Sequence, residues 1–228
     1  MNIIFTRPLI DSEDLMMNFF KSGHKVIHIP TLSIASANME PINTKNYDGL
    51  IFTSANAVRF LKTKNDDKNT RCFCVGNLTE RSLRLKGFNN TIAASGTVNA
   101  LKNIIINSEK NIKNLAYICG DVVSYELDKE LLKEGFKIKK IINYTSTKIL
   151  DLNKESMDLI KRYPANIALI YSKRSAESFD EIVRKHSFSE LMTHCTVMCI
   201  SKKIKEFLKS SGWKKIELFN PGEELIKI

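Results

Sequence analysis

The chain has 228 residues, 43% hydrophobic and 26% charged, with 35 Lys and Arg against 25 Asp and Glu for a formal net charge of +10. That much apolar material buries a core, and together with only 9 Gly and 5 Pro it excludes disordered, collagen-like and linker sequence. No stretch nears the roughly 18 uninterrupted apolar residues of a membrane helix, and residues 1–8 lack the early charge and long apolar run of a secretory signal, so a cytoplasmic chain is expected.

A strand–helix–strand rhythm runs along the chain. Residues 2–6 form a β-type run. Asp11 or Ser12 caps a helix that has Glu13 and Asp14 in its first turn, where the helix dipole favours acids. Leu15, Met16, Phe19 and Phe20 give that helix one apolar stripe, and Gly23 closes it. Residues 25–29 are the next strand, ended by Pro30. Residues 31–37 are rich in Thr and Ser and hold neither Gly nor Pro, so they read as extended. An apolar strand at 49–53 leads into a helix at Ser54 or Asn56. Another, at 71–75, is followed by Gly76 and a helix ending at Gly87. Strands at 115–119, 138–143, 167–171 and 196–200 continue the theme, and 144–150 is a second Thr- and Ser-rich extended segment. Near-continuous apolar strands alternating with amphipathic helices predict parallel sheets covered on both faces.

The chain also repeats itself. Phe5-Thr6-Arg7-Pro8 through Gly23 resembles Ile118-Cys119-Gly120-Asp121 through Gly135; Phe52-Thr53-Ser54 resembles Ile170-Tyr171-Ser172; Gly87-Phe88 resembles Gly212-Trp213. A period above 100 residues is too long for a solenoid. Two copies of one α/β domain are expected, with 31–37 and 144–150 as connections between them.

Familiar catalytic and nucleotide motifs are absent: no GxGxxG, no GxxxxGK[ST], no GxSxG and no HExxH. His24, His28, His186 and His194 lack metal-ligand spacing, and the five Cys (72, 74, 119, 195, 199) read as free thiols. What remains are polar turns at the carboxyl ends of strands, the edge where open α/β sheets bind ligands. They are Thr6-Arg7-Pro8, Thr53-Ser54-Ala55-Asn56, Gly76-Asn77-Leu78-Thr79, Ser95-Gly96-Thr97, Gly120-Asp121, Ser172-Lys173-Arg174-Ser175, Ser201-Lys202-Lys203 and Pro221-Gly222. Each is expected just before a helix, where free N–H groups bind carboxylate or phosphate; helix capping alone is the other reading of each Ser or Thr. The net charge likewise has two readings. One is a polyanionic partner; the other is the Lys, Asn and Ile richness that AT-rich codons supply. A nucleic-acid-binding α/β module would need a basic stripe with interleaved aromatics, but Phe19, Phe20 and Phe52 sit on core-type stripes.

Several of these motifs, in order, resemble the uroporphyrinogen-III synthase family. They are Thr6-Arg7-Pro8 with Gly23 and Pro30, then Tyr47-Asp48-Gly49-Leu50-Ile51-Phe52-Thr53-Ser54-Ala55-Asn56-Ala57-Val58, and Val75-Gly76-Asn77-Leu78-Thr79 with Gly87-Phe88. Gly120, Leu127, Leu131, Gly135 and Tyr144 follow, then Tyr171-Ser172-Lys173-Arg174-Ser175 and Cys199-Ile200-Ser201. Each motif is short; their order and spacing make the match specific over essentially the whole chain. The resemblance implies two flavodoxin-like parallel-sheet α/β domains joined by a two-stranded β ladder, with a cleft between them. One domain would comprise 1–30 plus 151–228 and the other 38–142, with 31–37 and 143–150 as the linking segments.

The resemblance further implies the substrate hydroxymethylbilane, a linear tetrapyrrole with eight carboxylates. The enzyme removes its terminal hydroxyl as water, inverts ring D through a spiro intermediate and closes uroporphyrinogen III, with no cofactor and no metal. A monomer is expected, in transient contact with the upstream hydroxymethylbilane synthase and with no nucleic acid or membrane partner. Tyr144 matches the family's recurring tyrosine and is the candidate proton donor to the departing hydroxyl; packing at the ladder is its other reading. Arg7, Thr53, Ser54, Gly76, Thr79, Gly120, Ser172, Ser175 and Ser201 are carried over as substrate binders. A member that has lost catalysis and serves as a scaffold is a further alternative. The chain departs from the family at Ser201-Lys202-Lys203-Ile204, where Gly-Pro-Thr-Thr is frequent, and at Ser124, where Arg is frequent.

Overall fold

The structure, a computed structural model, describes residues 1–64, 68–108 and 111–228. Its strands are β1 (Asn2–Phe5), β2 (Lys25–His28), β3 (Leu32–Ser36), β4 (Gly49–Phe52), β5 (Arg71–Val75), β6 (Thr91–Ala94), β7 (Asn114–Gly120), β8 (Lys137–Lys148), β9 (Ile167–Ile170), β10 (Thr196–Cys199) and β11 (Ile216–Leu218). The helices are α1 (Glu13–Lys21), α2 (Ala55–Arg59), α3 (Asn77–Leu85), α4 (Val98–Ile106), α5 (Leu127–Lys133), α6 (Lys154–Arg162), α7 (Lys173–Lys185), α8 (Lys202–Ser210) and α9 (Glu224–Lys227). The chain divides into two compact units, Met1–Ser33 with Thr147–Ile228, and Ile34–Ser146, and the division falls within β3 and β8.

The first unit holds a sheet in the order β11-β10-β9-β1-β2, parallel throughout. Alternation along each strand feeds two apolar layers. Ile4, Ala168 and Ile170 point into one, packed with Phe179 and Ile182 of α7 and Leu208 of α8. Ile3, Phe5 and Leu169 point into the other, packed with Phe19 of α1. Counted along this unit alone, the strand order is 2-1-3-4-5, the flavodoxin-like winding.

The second unit holds the order β3-β8-β7-β4-β5-β6. The neighbours from β4 to β8 are parallel. The edge strand β3 runs against β8: Ala37 N donates to Asn143 O and Ile149 N to Thr31 O, so the two chains advance in opposite senses. Leu50 and Phe52 face Ala57 and Val58 of α2 and Leu83 of α3; Ile51 and Phe73 face Leu101 of α4 and Leu131 of α5. Counted from β4 to β8 the order is 3-2-1-4-5, the other common doubly wound arrangement. The two expected parallel-sheet α/β units are present, with β3 antiparallel at the edge of the second sheet; the expected flavodoxin-like strand order describes the first, and the core of the second is wound 3-2-1-4-5.

In such sheets the ligand crevice opens where the winding reverses, outside the carboxyl ends of the two strands concerned. In the first unit these strands are β1 and β9, which end at Thr6-Arg7 and Tyr171-Ser172. In the second they are β4 and β7, which end at Thr53-Ser54 and Gly120-Asp121.

Several elements differ from the sequence reading. The strand expected at 138–143 and the connection expected from 144 are one twelve-residue strand, β8. Gly120-Asp121 does not open a helix, since α5 starts only at Leu127. Thr6-Arg7-Pro8 is followed by a single 3-10 turn, Leu9–Asp11. Ser12 does precede α1, but its hydroxyl donates back to Pro8 O at 3.0 Å and makes no capping bond.

Candidate functional site

The carboxyl edge of the second unit gathers most of the expected residues. Thr53 follows β4, and its Oγ1 lies 3.1 Å from the Tyr117 hydroxyl on the neighbouring strand β7. Ser54 is the N-cap of α2, accepting a hydrogen bond from Asn56 N at 3.2 Å. Gly76 precedes α3 at φ 77°, ψ 156°, a conformation essentially restricted to glycine. No side-chain cap bond closes this helix start, so the dipole's positive end and the first-turn N–H groups are not covered by a capping oxygen. Thr79 sits in that first turn and is buried. By contrast Thr97 caps α4, accepting from Ala100 N at 3.1 Å.

Gly120 ends β7 and pairs with Tyr144 across a register shift: Cys119 faces Ile142, and the next residue faces Tyr144, leaving Asn143 as the extra residue of a β-bulge. The half-buried Tyr144 ring stacks on Phe60, with centroids 6.4 Å apart and planes 28° apart, and packs on the layer containing Phe52 and Ala57. Asp121 fixes the strand end beyond it. Its N–H donates to Tyr144 O at 3.1 Å, and its carboxylate accepts from Ser146 N at 3.0 Å. Tyr144, Gly120, Thr53 and Ser54 thus share the switch point of this sheet, with Gly76 and Thr79 at the end of the next strand, β5.

The carboxyl edge of the first unit is built differently. The Arg7 guanidinium lies 4.7 Å from the centre of the Tyr171 ring, and its carbonyl accepts from His28 Nε2 at 2.8 Å. Tyr171 donates to the buried Glu224 carboxylate at 2.9 Å, which also accepts from Gly222 N at 2.8 Å. Burial, with the carboxylate beside it, pushes the Tyr171 phenol far up, so it stays a donor. Ser172 caps α7, accepting from Ser175 N at 3.0 Å, and Ser201 caps α8, accepting from Ile204 N at 3.4 Å.

Ser175 has a different task from the one expected. It is 4% exposed. Its hydroxyl lies 2.6 Å from Thr31 Oγ1 and 3.2 Å from Thr6 Oγ1. Thr6 Oγ1 donates onward to Leu169 O at 2.6 Å, and Ser178 donates to Thr31 O at 2.8 Å. With its N–H taken by Ser172 and its hydroxyl inside this buried cluster, Ser175 ties α7 to β1 and to the start of β3.

Sequence reasoning overlooked Phe60, Asn143 and Glu224 at these edges, none of which carries a local signal; it names Asp121 with Gly120 as a polar turn, but not as the carboxylate that fixes the strand end. The cysteines are buried. Burial pushes the thiols of Cys72, Cys74 and Cys195 up to about 12 and that of Cys119 to about 11, so at neutral pH they are protonated and poor nucleophiles. Among the described residues no group of three or more His, Cys, Asp or Glu is placed to hold a metal ion, and no helix is long and apolar enough to cross a membrane.

The family described as uroporphyrinogen-III synthase HemD matches the chain over residues 14–218. Among solved structures, the uroporphyrinogen-III synthetase of Helicobacter pylori is similar at 19% identity and a TM-score of 0.67, over 98% of this chain and 94% of that one. A mutant uroporphyrinogen III synthase of Thermus thermophilus is similar at 14% identity and a TM-score of 0.58, again over 98% and 94%. At these identities the structural likeness is one of fold. No curated protein sequence matches the chain.

Proposed function

This chain belongs to the uroporphyrinogen-III synthase family of porphyrin biosynthesis, and on that premise we propose that it is a cyclising hydro-lyase acting on hydroxymethylbilane. The terminal C–O bond breaks and the hydroxyl leaves as water after taking up a proton. The methylene carbon of the resulting azafulvene is attacked by the substituted carbon of ring D. The spiro intermediate then reopens and recloses with that ring inverted, and loss of a proton gives uroporphyrinogen III.

The observation that carries this reading is the position of Tyr144 against Gly120 and on the layer holding Phe52 and Ala57, the residues that flank the Thr53-Ser54 turn, at the point where the second unit's sheet reverses its winding. A phenol there is a proton source for the departing hydroxyl. The eight carboxylates of the substrate suit first-turn N–H groups such as those after Gly76, which bind anions by charge-assisted hydrogen bonds. The chemistry asks little more of side chains, because the azafulvene closes unaided to the unflipped isomer. The protein's contribution is to hold the chain in the productive geometry. In this account Arg7, Ser172 and Ser201 belong to the carboxylate-holding turns, and Thr53, Ser54, Gly76, Thr79 and Gly120 line the edge around Tyr144.

The reaction so written uses no cofactor. We place it in the cytoplasm and assign it to a monomer that receives its unstable substrate from the upstream synthase. The family match sets aside the nucleic-acid-binding alternative. The test is the rate of hydroxymethylbilane loss, measured with purified chain and no additions. An enzyme consumes it far faster than buffer does; disappearance at the buffer rate sinks the proposal and favours a scaffold.

A further inference from the structure

Tyr144 reaches the α2 side of its sheet only because β8 is bulged. Ile141 and Tyr144 both pack on the layer formed by Phe52, Ala57 and Val58, although they are three residues apart. An unbroken strand alternates with period two and would turn positions 141 and 144 to opposite faces. The register shift supplies the missing residue: Cys119 pairs with Ile142, Gly120 pairs with Tyr144, and Asn143 is the one left over. Bulges re-aim side chains in this way.

Asn143 has no exposed surface, an unusual place for an amide. Its Nδ2 donates to the carbonyl of Ala57 at 2.7 Å, and a carbonyl partner requires the amide's nitrogen, not its oxygen, at that position. Ala57 lies in the last turn of α2, where helix carbonyls lack intrahelical donors. Phe60, the ring stacked on Tyr144, follows directly after that helix. The backbone carbonyl of Asn143 accepts from Ala37 N on the β3 side. Its Oδ1 is buried and has no hydrogen-bond partner among the described residues. A buried amide oxygen left without a donor is a cost to the fold, whereas an apolar residue of similar size would carry none. The residue therefore gives up stability for the one bond its side chain makes, the link between the bulge and the end of α2.

We propose that Asn143 is a positioning residue that fixes the bulge of β8 through Ala57 and so holds the Tyr144 ring between Gly120 and Phe60. The inference rests on the functional reading of Tyr144 for its effect on rate, but its effect on ring position stands independently. The experiment compares wild type, Asn143→Leu, Tyr144→Phe and the double variant by kcat and KM. It also follows the NOE between the Tyr144 ring protons and the Gly120 α-protons in protein with labelled tyrosine. Asn143→Leu should lose that ring contact and about tenfold in kcat, with KM within about twofold. In the Tyr144→Phe background the same substitution should change kcat less than about twofold, since the group it aims is gone.

Wild-type kcat with the ring contact intact in Asn143→Leu overturns the proposal, as does a kcat loss that multiplies fully with that of Tyr144→Phe. A Tyr144→Phe enzyme with wild-type kcat, alongside loss of the ring contact in Asn143→Leu, upholds the positioning and removes the catalytic reading of Tyr144. Should leucine prevent folding, Asn143→Asp keeps the shape and lacks the amide donor. The same loss of kcat and ring contact is then expected, and wild-type values for both overturn the proposal.

Discussion

A β-carbon built on Gly120 would lie 2.6 Å from Cζ of Tyr144, 2.7 Å from its Cε2 and 2.9 Å from its hydroxyl oxygen. The tyrosine ring therefore occupies the space that any side chain at position 120 would need. The backbone of Gly120 is not in the left-handed region, unlike that of Gly76, so the requirement for glycine is steric. Gly120→Ala should displace the ring, lower the melting temperature by an amount corresponding to roughly 1–3 kcal/mol of overpacking, and cut kcat. Thermal melts of a double-mutant cycle with Tyr144→Ala check the cause: without the ring, the alanine should cost little. An equal cost in both backgrounds would place the clash elsewhere.

Tyr144→Phe removes only the hydroxyl. General acids contribute up to about 10²–10⁴ in rate; a hydroxyl leaving from an electron-rich pyrrole needs less help, so a kcat loss of about tenfold to a hundredfold is expected. KM should hold and the product should remain isomer III, because ring inversion depends on the shape of the site. Steady-state kinetics with product separation decides. Unaltered kcat reduces Tyr144 to a packing residue.

Gly76 is argued to hold the start of α3 open to a carboxylate. A Cβ there meets nothing within 4 Å, but the backbone sits at φ +77°, where a side chain costs about 1–3 kcal/mol. Gly76→Ala should turn the helix start and raise KM several-fold while kcat changes less. A KM equal to wild type removes this turn from substrate binding.

Ser175→Ala and Thr31→Val each remove a hydroxyl from the buried Thr6–Thr31–Ser175 cluster and leave its partners short of a bond. A loss of about 1–3 kcal/mol per variant is expected from denaturant melts, with KM unchanged. If Ser175→Ala instead raised KM at wild-type stability, the hydroxyl would belong to the site after all.

The sequence foretold much of the scaffold because burial writes itself into local pattern. Strands such as β4, β5, β7 and β9 are unbroken apolar runs, and Ser54, Ser172 and Ser201 announce the helices they cap. The edge strands β6 and β11 are only four and three residues long, too short to stand out. The bulge at Asn143 has no local mark, since a lone amide in a strand reads as a turn or an outward-facing residue. What buries it is the carbonyl of Ala57, 86 residues away. Ser175 looked like a ligand residue for the same reason: its hydroxyl partners, Thr31 and Thr6, lie 144 and 169 residues distant. The unit-two edge was legible as separate polar turns, and the strand order brought Thr53, Gly120 and Tyr144 to one switch point.

The central claim, that this fold steers ring closure, is tested most directly by the isomer formed. Purified chain is given hydroxymethylbilane without metal or nucleotide, the product is oxidised, and porphyrin isomers III and I are separated chromatographically. The account predicts isomer III in large excess. Isomer I alone, formed at the uncatalysed rate, would contradict it.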